Sequence, residues 1–123
     1  MKSAVKKLGV VGVAGAMVLL ALHLYLLDGI NGWVFSKLAV GGEDTQYASG
    51  YTDSAFRAIR VGMPKEKVRE LLGPPLDVGT SDPPKRLEIW RYSWSPSDTN
   101  YRIRVVHLRD GVIVDKVSEF YVD

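Results

Sequence analysis

The chain contains no cysteine in its 123 residues. That absence excludes disulfide staples, thiol nucleophiles and lipid attachment through a cysteine. Histidine is almost as scarce: beside His23 in the N-terminal apolar run there is only His107, so no second His or Cys exists to complete a metal set. No Gly-x-Ser-x-Gly elbow occurs, and the acids are scattered through turns and the polar face of a helix without forming a pair suited to general acid and base roles. Excess charge of one sign is missing too. Sixteen Lys and Arg stand against fourteen Asp and Glu; Lys2, Lys6 and Lys7 precede Leu8 and no acid does, so residues 8–123 carry thirteen against fourteen, net −1. A near-neutral remainder provides no electrostatic basis for binding nucleic acid.

The chain does have one long apolar run. Leu8 to Leu27 holds twenty residues without a formal charge, broken in polarity only by His23. At ~1.5 Å per residue a helix of that length covers ~30 Å, the hydrocarbon thickness of a bilayer. Lysines before the run and Asp28 after it orient it with the N-terminus in the cytoplasm. A cleaved secretory signal would show a shorter apolar core and a small-x-small cleavage site, whereas this run ends Leu24-Tyr-Leu-Leu-Asp28. The expected organisation is a basic cytoplasmic tail (1–7), a transmembrane signal anchor (8–27), a juxtamembrane tether (28–50) and an extracytoplasmic domain (51–123). Cleavage and secretion is the competing expectation. His23 reads as a neutral imidazole near the outer interface rather than a proton-handling group, since no acid lies within the run. Gly9, Gly12 and Gly15 form a small-residue face of the kind that pairs helices in membranes. In the tether, Trp33 and Phe35 are placed either at the membrane interface, where aromatic rings settle, or docked on the domain.

The best-specified stretch of the domain is Ile59 to Pro75. Val68, Leu71 and Leu72 recur at helical spacing among Lys65, Glu66, Lys67, Arg69 and Glu70, predicting an amphipathic helix from Pro64 to Leu72. Pro64 suits its first position, and Gly73 with Pro74-Pro75 stops it. Ahead of it, Thr52 or Asp53 can cap a helix running to Arg60, with Phe56 and Ile59 inward and Gly62 ending it. Gly73 to Arg86, with four prolines, reads as a loop. Three strands are then predicted. Leu87–Trp94 places Trp90, Tyr92 and Trp94 on one face. Tyr101–Arg109 alternates at first, with Tyr101, Ile103 and Val105 on the side opposite Arg102 and Arg104, and changes phase at Val106 and Leu108, as a bulge or a strand half-covered on both faces would cause. Val112–Val122 comes after the two-residue hairpin signal Asp110-Gly111. The predicted fold class is therefore α+β: an N-terminal transmembrane helix, then two short helices packed on one face of a three-stranded antiparallel sheet.

Arg60-Val-Gly-Met-Pro-Lys-Glu-Lys-Val-Arg-Glu-Leu-Leu-Gly-Pro-Pro75, followed by Ile89-Trp-Arg-Tyr92 and Leu108-Arg-Asp-Gly-Val112, resembles the SmpA/OmlA (BamE-like) family of small outer-membrane assembly lipoproteins. The resemblance covers roughly Tyr51 to Val117. It implies an ααβββ domain similar to the β-lactamase inhibitor protein fold, acting by binding other proteins without catalytic residues or cofactors. The positions that carry it, Gly62, Met63, Val68, Leu72, Gly73, Pro75, Trp90 and Tyr92, have an architectural role: Val68, Leu71 and Leu72 would pack on the strand bearing Trp90 and Tyr92. Family members carry a lipobox cysteine that this chain lacks, so an uncleaved helix would leave the domain on the outer face of the inner membrane.

The functional expectation is thus a membrane-tethered, non-enzymatic protein-interaction domain of the bacterial cell envelope, serving envelope or outer-membrane assembly or maintenance. Its partners would be the lipid bilayer through Leu8–Leu27 and envelope proteins, with no nucleic acid, metal or cofactor. The alternatives are a secreted β-lactamase-inhibitor-like protein and a small-ligand sensor. A DNA-binding helix-turn-helix using Arg57, Arg60, Lys65, Lys67 and Arg69 fits poorly, because Glu66 and Glu70 dilute the charge and the orientation puts the hairpin outside the cytoplasm.

Overall fold

A computed structural model describes residues 2–38 and 42–122, so Met1, residues 39–41 of the expected tether and Asp123 lie outside the described residues, as do the side chains of residues 2–5 in the expected basic tail and of Leu8, the first residue of the expected span. Among the described residues the elements are, in order, α1 (Lys2–Tyr25), α2 (Gly29–Leu38), β1 (Gln46–Tyr47), α3 (Asp53–Ala58), α4 (Lys65–Leu72), β2 (Asp77–Thr80), β3 (Glu88–Arg91), β4 (Ser93–Trp94), β5 (Tyr101–Arg109) and β6 (Val112–Tyr121). The class is mixed α+β. Its main sheet is antiparallel with four strands in the order β2-β3-β5-β6, and β1 and β4 form a separate antiparallel pair.

Helices α3 and α4 form as their local sequences dictate. Thr52, not Asp53, is the cap: its hydroxyl accepts the Ala55 N–H at 3.2 Å, and the helix closes two residues before Arg60, with Ile59 as its C-cap. Pro64 is the residue before α4 rather than its first residue, with extended backbone at φ −72° and ψ 153°. The reason is tertiary. The linker between the helices is sewn onto the β5–β6 hairpin: Gly62 N–H and Lys65 N–H donate to the Ile113 and Gly111 carbonyls at 2.9 Å each, and Ile113 N–H donates back to Met63. Gly73 ends α4 with φ +73°, a conformation that disfavours any residue with a Cβ.

The two helices bury Phe56, Ile59, Val68 and Leu72 against Trp90, Tyr92, Val106, Leu108 and Ile113, all at 1% exposure or less. Met63 and Leu71 pack at the edge of this core. Tyr92 donates its hydroxyl to the Gly73 carbonyl at 3.0 Å, tying the end of α4 to the sheet. Trp94 departs from its two aromatic neighbours and is 49% exposed. The strand expected from Leu87 to Trp94 is in fact broken at Tyr92. There Ser93 Oγ substitutes for backbone in the ladder, accepting the Arg104 N–H at 2.8 Å and donating to the Arg102 carbonyl at 2.6 Å, and the chain turns away to pair with β1.

Two further expectations are corrected. The proline-rich Gly73–Arg86 segment is not all loop: Asp77 to Thr80 pairs with Arg91 to Glu88 as a fourth strand, which the flanking prolines permit because it lies at the sheet edge. The irregularity in the last hairpin sits between His107 and Leu108, but the extra residue is Val114 on β6, since His107 faces Asp115 while Leu108 faces Ile113. Strand β5 itself keeps one alternation throughout, and its inward side carries Arg104, Val106 and Leu108. Of residues 28–50, expected as a tether with its rings either at the interface or docked on the domain, the described ones include α2, which packs against β6, and β1, which pairs with β4. Asp110 and Gly111 adopt positive φ of 52° and 75°, as a tight primed turn needs.

Helix α1 exposes its apolar side chains along its length, from Val10 and Val11 to Leu24 and Tyr25. Among the described residues no single helix is long and apolar enough to cross a membrane; Gly9–Tyr25 and Gly29–Leu38, bent by 73°, meet the test as a pair.

Leu72→Ala is expected to cost ~2–5 kcal/mol of stability through the cavity it opens, measured by denaturation of the detergent-solubilised chain; a loss near zero would show that the α4 stripe does not pack on the sheet. Stability should also fall at alkaline pH. Burial pushes the Tyr92 hydroxyl up to about 12, with the Arg69 charge opposing, so the folded chain holds a proton that the unfolded chain releases near 10. This contribution is complete below pH 10 and is lost between 10 and about 12. Denaturant midpoints across that window should decline less in Tyr92→Phe.

Candidate functional site at the helix–sheet junction

The inward face of the sheet is divided. Beneath α3 and α4 it is apolar; toward the ends of β5 and β6 it carries Arg102, Arg104, Lys116 and Ser118, with Phe120 opposite Arg102. This polar half is covered by the turn between α1 and α2. Its central residue is Asp28, the acid directly after the apolar run, whose side chain is 4% exposed.

Arg104, 1% exposed, grips Asp28 with both terminal nitrogens, Nη1 to Oδ1 at 2.6 Å and Nη2 to Oδ2 at 3.0 Å. Its remaining donors reach the Tyr51 hydroxyl at 2.9 Å and the Ile103 carbonyl at 2.8 Å. Arg102 adds a second cation on Asp28 Oδ2 at 2.5 Å and fixes Glu43 through Nε at 2.8 Å. Burial works against the charge on Arg104, and the hydrogen bonds and charge of Asp28 outweigh it, leaving the guanidinium more firmly protonated than usual. A desolvated, bidentate and fully hydrogen-bonded arrangement is the geometry in which a buried pair can hold. Tyr51 joins the same network, donating to Asp53 at 2.7 Å and stacking on Tyr47 with ring centroids 4.6 Å apart. Burial pushes its hydroxyl well above the ordinary tyrosine range.

The turn that presents Asp28 is closed from both sides. His23 Nδ1 accepts the Ile30 N–H at 3.1 Å, which requires that nitrogen to be unprotonated. Gly29, at φ +69°, leaves room for the imidazole: a Cβ there would lie 2.6 Å from His23 Cε1. Gly32 lets α2 approach β6, a Cβ there meeting Phe120 at 3.2 Å. Ser118 donates its hydroxyl to the Leu27 carbonyl, and Arg57 lies over the Tyr25 ring at 4.8 Å.

Beside the clamp opens a cleft of about 510 Å³ lined by His23, Leu27, Arg57, Arg60, Lys116 and Ser118 among others. Lys116 Nζ donates to the Phe56 carbonyl at 2.7 Å at the end of α3, and burial, with the Arg60 charge next, lowers its pKa. Asp28 is the one acid in this lining and is engaged by the two arginines. Chemically the cleft offers cations and hydrogen-bond donors to an anion. A second, largely apolar groove of about 460 Å³ lies between Leu76, Asp77, Arg91, Ser93 and Trp94. The outward sheet face carries Tyr101, Ile103, Val105 and Val117, with His107 Nδ1 3.1 Å from Asp115. Among the described residues no group of three His, Asp or Glu is placed to hold a metal.

The residues singled out in the sequence gather elsewhere. Val68, Leu72, Trp90 and Tyr92 share the core, with Met63 at its margin; Gly62 and Gly73 shape the ends of α4's flanking turns, and Pro75 stands just ahead of β2. Of these, Tyr92 adjoins the clamp, donating its N–H to the Arg104 carbonyl at 2.9 Å with its ring 6.5 Å from that of Tyr51. Asp28, Arg102, Arg104 and Tyr51 escape sequence reasoning, although two arginines at i, i+2 inside a strand and a lone acid directly after an apolar run are the available signal. No protein-family model matches the chain, and no curated protein is similar to it in sequence.

Asp28→Ala should cost about 3–5 kcal/mol, since it strands the buried Arg104 charge, whereas Glu43→Ala, removing a half-buried partner, should cost roughly 1 kcal/mol or less. Paired denaturation curves check the difference; equal losses would show that the Asp28 pair is solvated.

Proposed function

We propose that this chain is a membrane-tethered, extracytoplasmic interaction module of the bacterial cell envelope, with a domain of the SmpA/OmlA (BamE-like) type that binds envelope proteins and performs no catalysis. The observation that carries this reading is the junction: a helix with an uncovered apolar surface leads, three residues past its end, to an acid buried between two strand arginines. A helix covered in exposed Val, Leu and Met needs an apolar surrounding, and the clamp makes that helix continuous with the folded domain. Lysines at its start and the domain at its end orient the chain with the domain outside the cytoplasm and the helix in the inner membrane. The α3–α4 pair ahead of the sheet supports the family resemblance, to which β1 and β2 are additions. For protein partners the outward sheet face and the Leu76–Trp94 groove are the available surfaces.

A second reading, a small-ligand sensor, draws on the cationic cleft. Recovery of envelope proteins with the detergent-solubilised full chain supports the interaction module; absence of protein partners together with saturable binding of a small anion would favour the sensor. Anchoring is tested by fractionation with mass measurement. The intact mass, 13.6 kDa, should sit in the carbonate-resistant inner-membrane fraction; a soluble species lighter by about 3 kDa, at ~110 Da per residue for a cleaved signal, would overturn the anchor.

A further inference from the structure

The structure leaves one element half covered. Helix α2 turns Gly29, Gly32 and Ser36 toward the domain, and on the opposite side Val34, Phe35 and Leu38 are 38%, 55% and 69% exposed, with Trp33 alongside at 49%. Its single charge is Lys37. This apolar stripe begins where that of α1 ends, across a turn of three residues, and the two helix axes differ by 73°.

We propose that α2 is an interfacial helix lying along the bilayer surface, with Val34, Phe35 and Leu38 sunk into the boundary between headgroups and acyl chains. The domain would then be docked on the membrane rather than suspended from it. The proposal rests on the anchor reading of α1. Three observations choose lipid as the occupant. The uncharged helical part of α1, residues 8–25, covers ~27 Å at 1.5 Å per residue, a little short of a ~30 Å hydrocarbon core, so the exit of the helix is drawn toward the acyl boundary and α2 with it. With α1 near the membrane normal, an element turned by 73° runs close to the membrane plane, and the ~20° tilt common in spanning helices absorbs the difference. Interfacial helices sink one apolar face and carry polar groups on the other; in α2 that other face is instead taken up by β6, which Gly32 allows to approach, leaving the apolar side as the one without protein cover. A second copy of the chain fits less well, because one stripe of three side chains is far below the ~20–30 residues a side of a stable interface. The Asp28 clamp holds the angle between the two helices, so insertion of α2 would set the orientation of the whole domain.

The absence of cysteine makes the test direct. Single cysteines are introduced in the full chain by Leu19→Cys on α1, Val34→Cys and Leu38→Cys on α2, and Val61→Cys on the exposed α3–α4 linker, then spin-labelled and reconstituted in phosphatidylcholine vesicles. Collision with oxygen, which partitions into lipid, is compared with collision with an aqueous nickel chelate. Labels at 34 and 38 are expected to favour oxygen, at a depth shallower than 19, while 61 favours the chelate. If 34 and 38 behave like 61 while 19 stays in lipid, the interfacial placement is overturned and the anchor stands. If 19 is also aqueous, both fall. If 34 and 38 are shielded from both reagents, protein covers α2, and the lipid assignment is wrong.

Discussion

A carboxylate taken out of water must be met by opposite charge with its hydrogen-bonding capacity filled, and Asp28 meets that demand only where Arg104 and Arg102 project from β5. The rest of the architecture depends on this requirement. If the turn after α1 did not cover the polar half of the sheet's inner face, Arg102 would keep Glu43, but the buried Arg104 would be left with no carboxylate nearer than Asp53 at 3.9 Å. The turn folds back to deliver the acid, and Leu27 packs against the core beside it. Gly29, Gly32, His23 and Ser118 are the local adjustments that let it do so: room for a ring, room for a strand, and partners for the Ile30 N–H and the Leu27 carbonyl.

The clamp changes the mechanical meaning of the N-terminal helix. Were 28–50 a flexible tether, a domain at its end would sample many orientations. With the pair buried, the chain leaves α1, turns, and is committed to the sheet within a few residues. Two separate cores therefore share one sheet face, one apolar under α3 and α4 and one ionic under the turn and the start of α2. They meet at Phe56, whose ring is 6.0 Å from the Arg104 guanidinium and 5.1 Å from Lys116 Nζ. Contacts between cations and a ring let charge adjoin an apolar core without leaving the cations unpartnered.

The elements that sequence reasoning locates well are those whose determinants are local. Val68 and Leu72 at helical spacing, Gly73 at positive φ, and Asp110-Gly111 between alternating strands each contain their own instruction. So does the burial of Trp90 and Tyr92, which comes from alternation beside a helix hairpin. The failures share a different cause. Strand β2 is hidden because the prolines around it read as loop, and only pairing with β3 reveals an edge. The phase of β5 is misjudged because Arg102 and Arg104 look like an outward face until a partner acid appears on the inside.

Composition and spacing alone settle that the chain cannot use thiol chemistry, that it carries a long apolar N-terminal run, and that a short amphipathic helix stopped by glycine and proline heads a set of β-strands. These are properties of neighbours in the chain, where periodicity and backbone preference act over a few residues. Tertiary structure alone decides that Asp28 belongs to the domain rather than to a tether, and that two strand arginines face inward. Those outcomes depend on residues 74 and 76 positions apart coming within hydrogen-bonding distance. Electrostatic pairing over such separations leaves no period in the sequence, because charge complementarity constrains which groups meet and says nothing about their spacing along the chain.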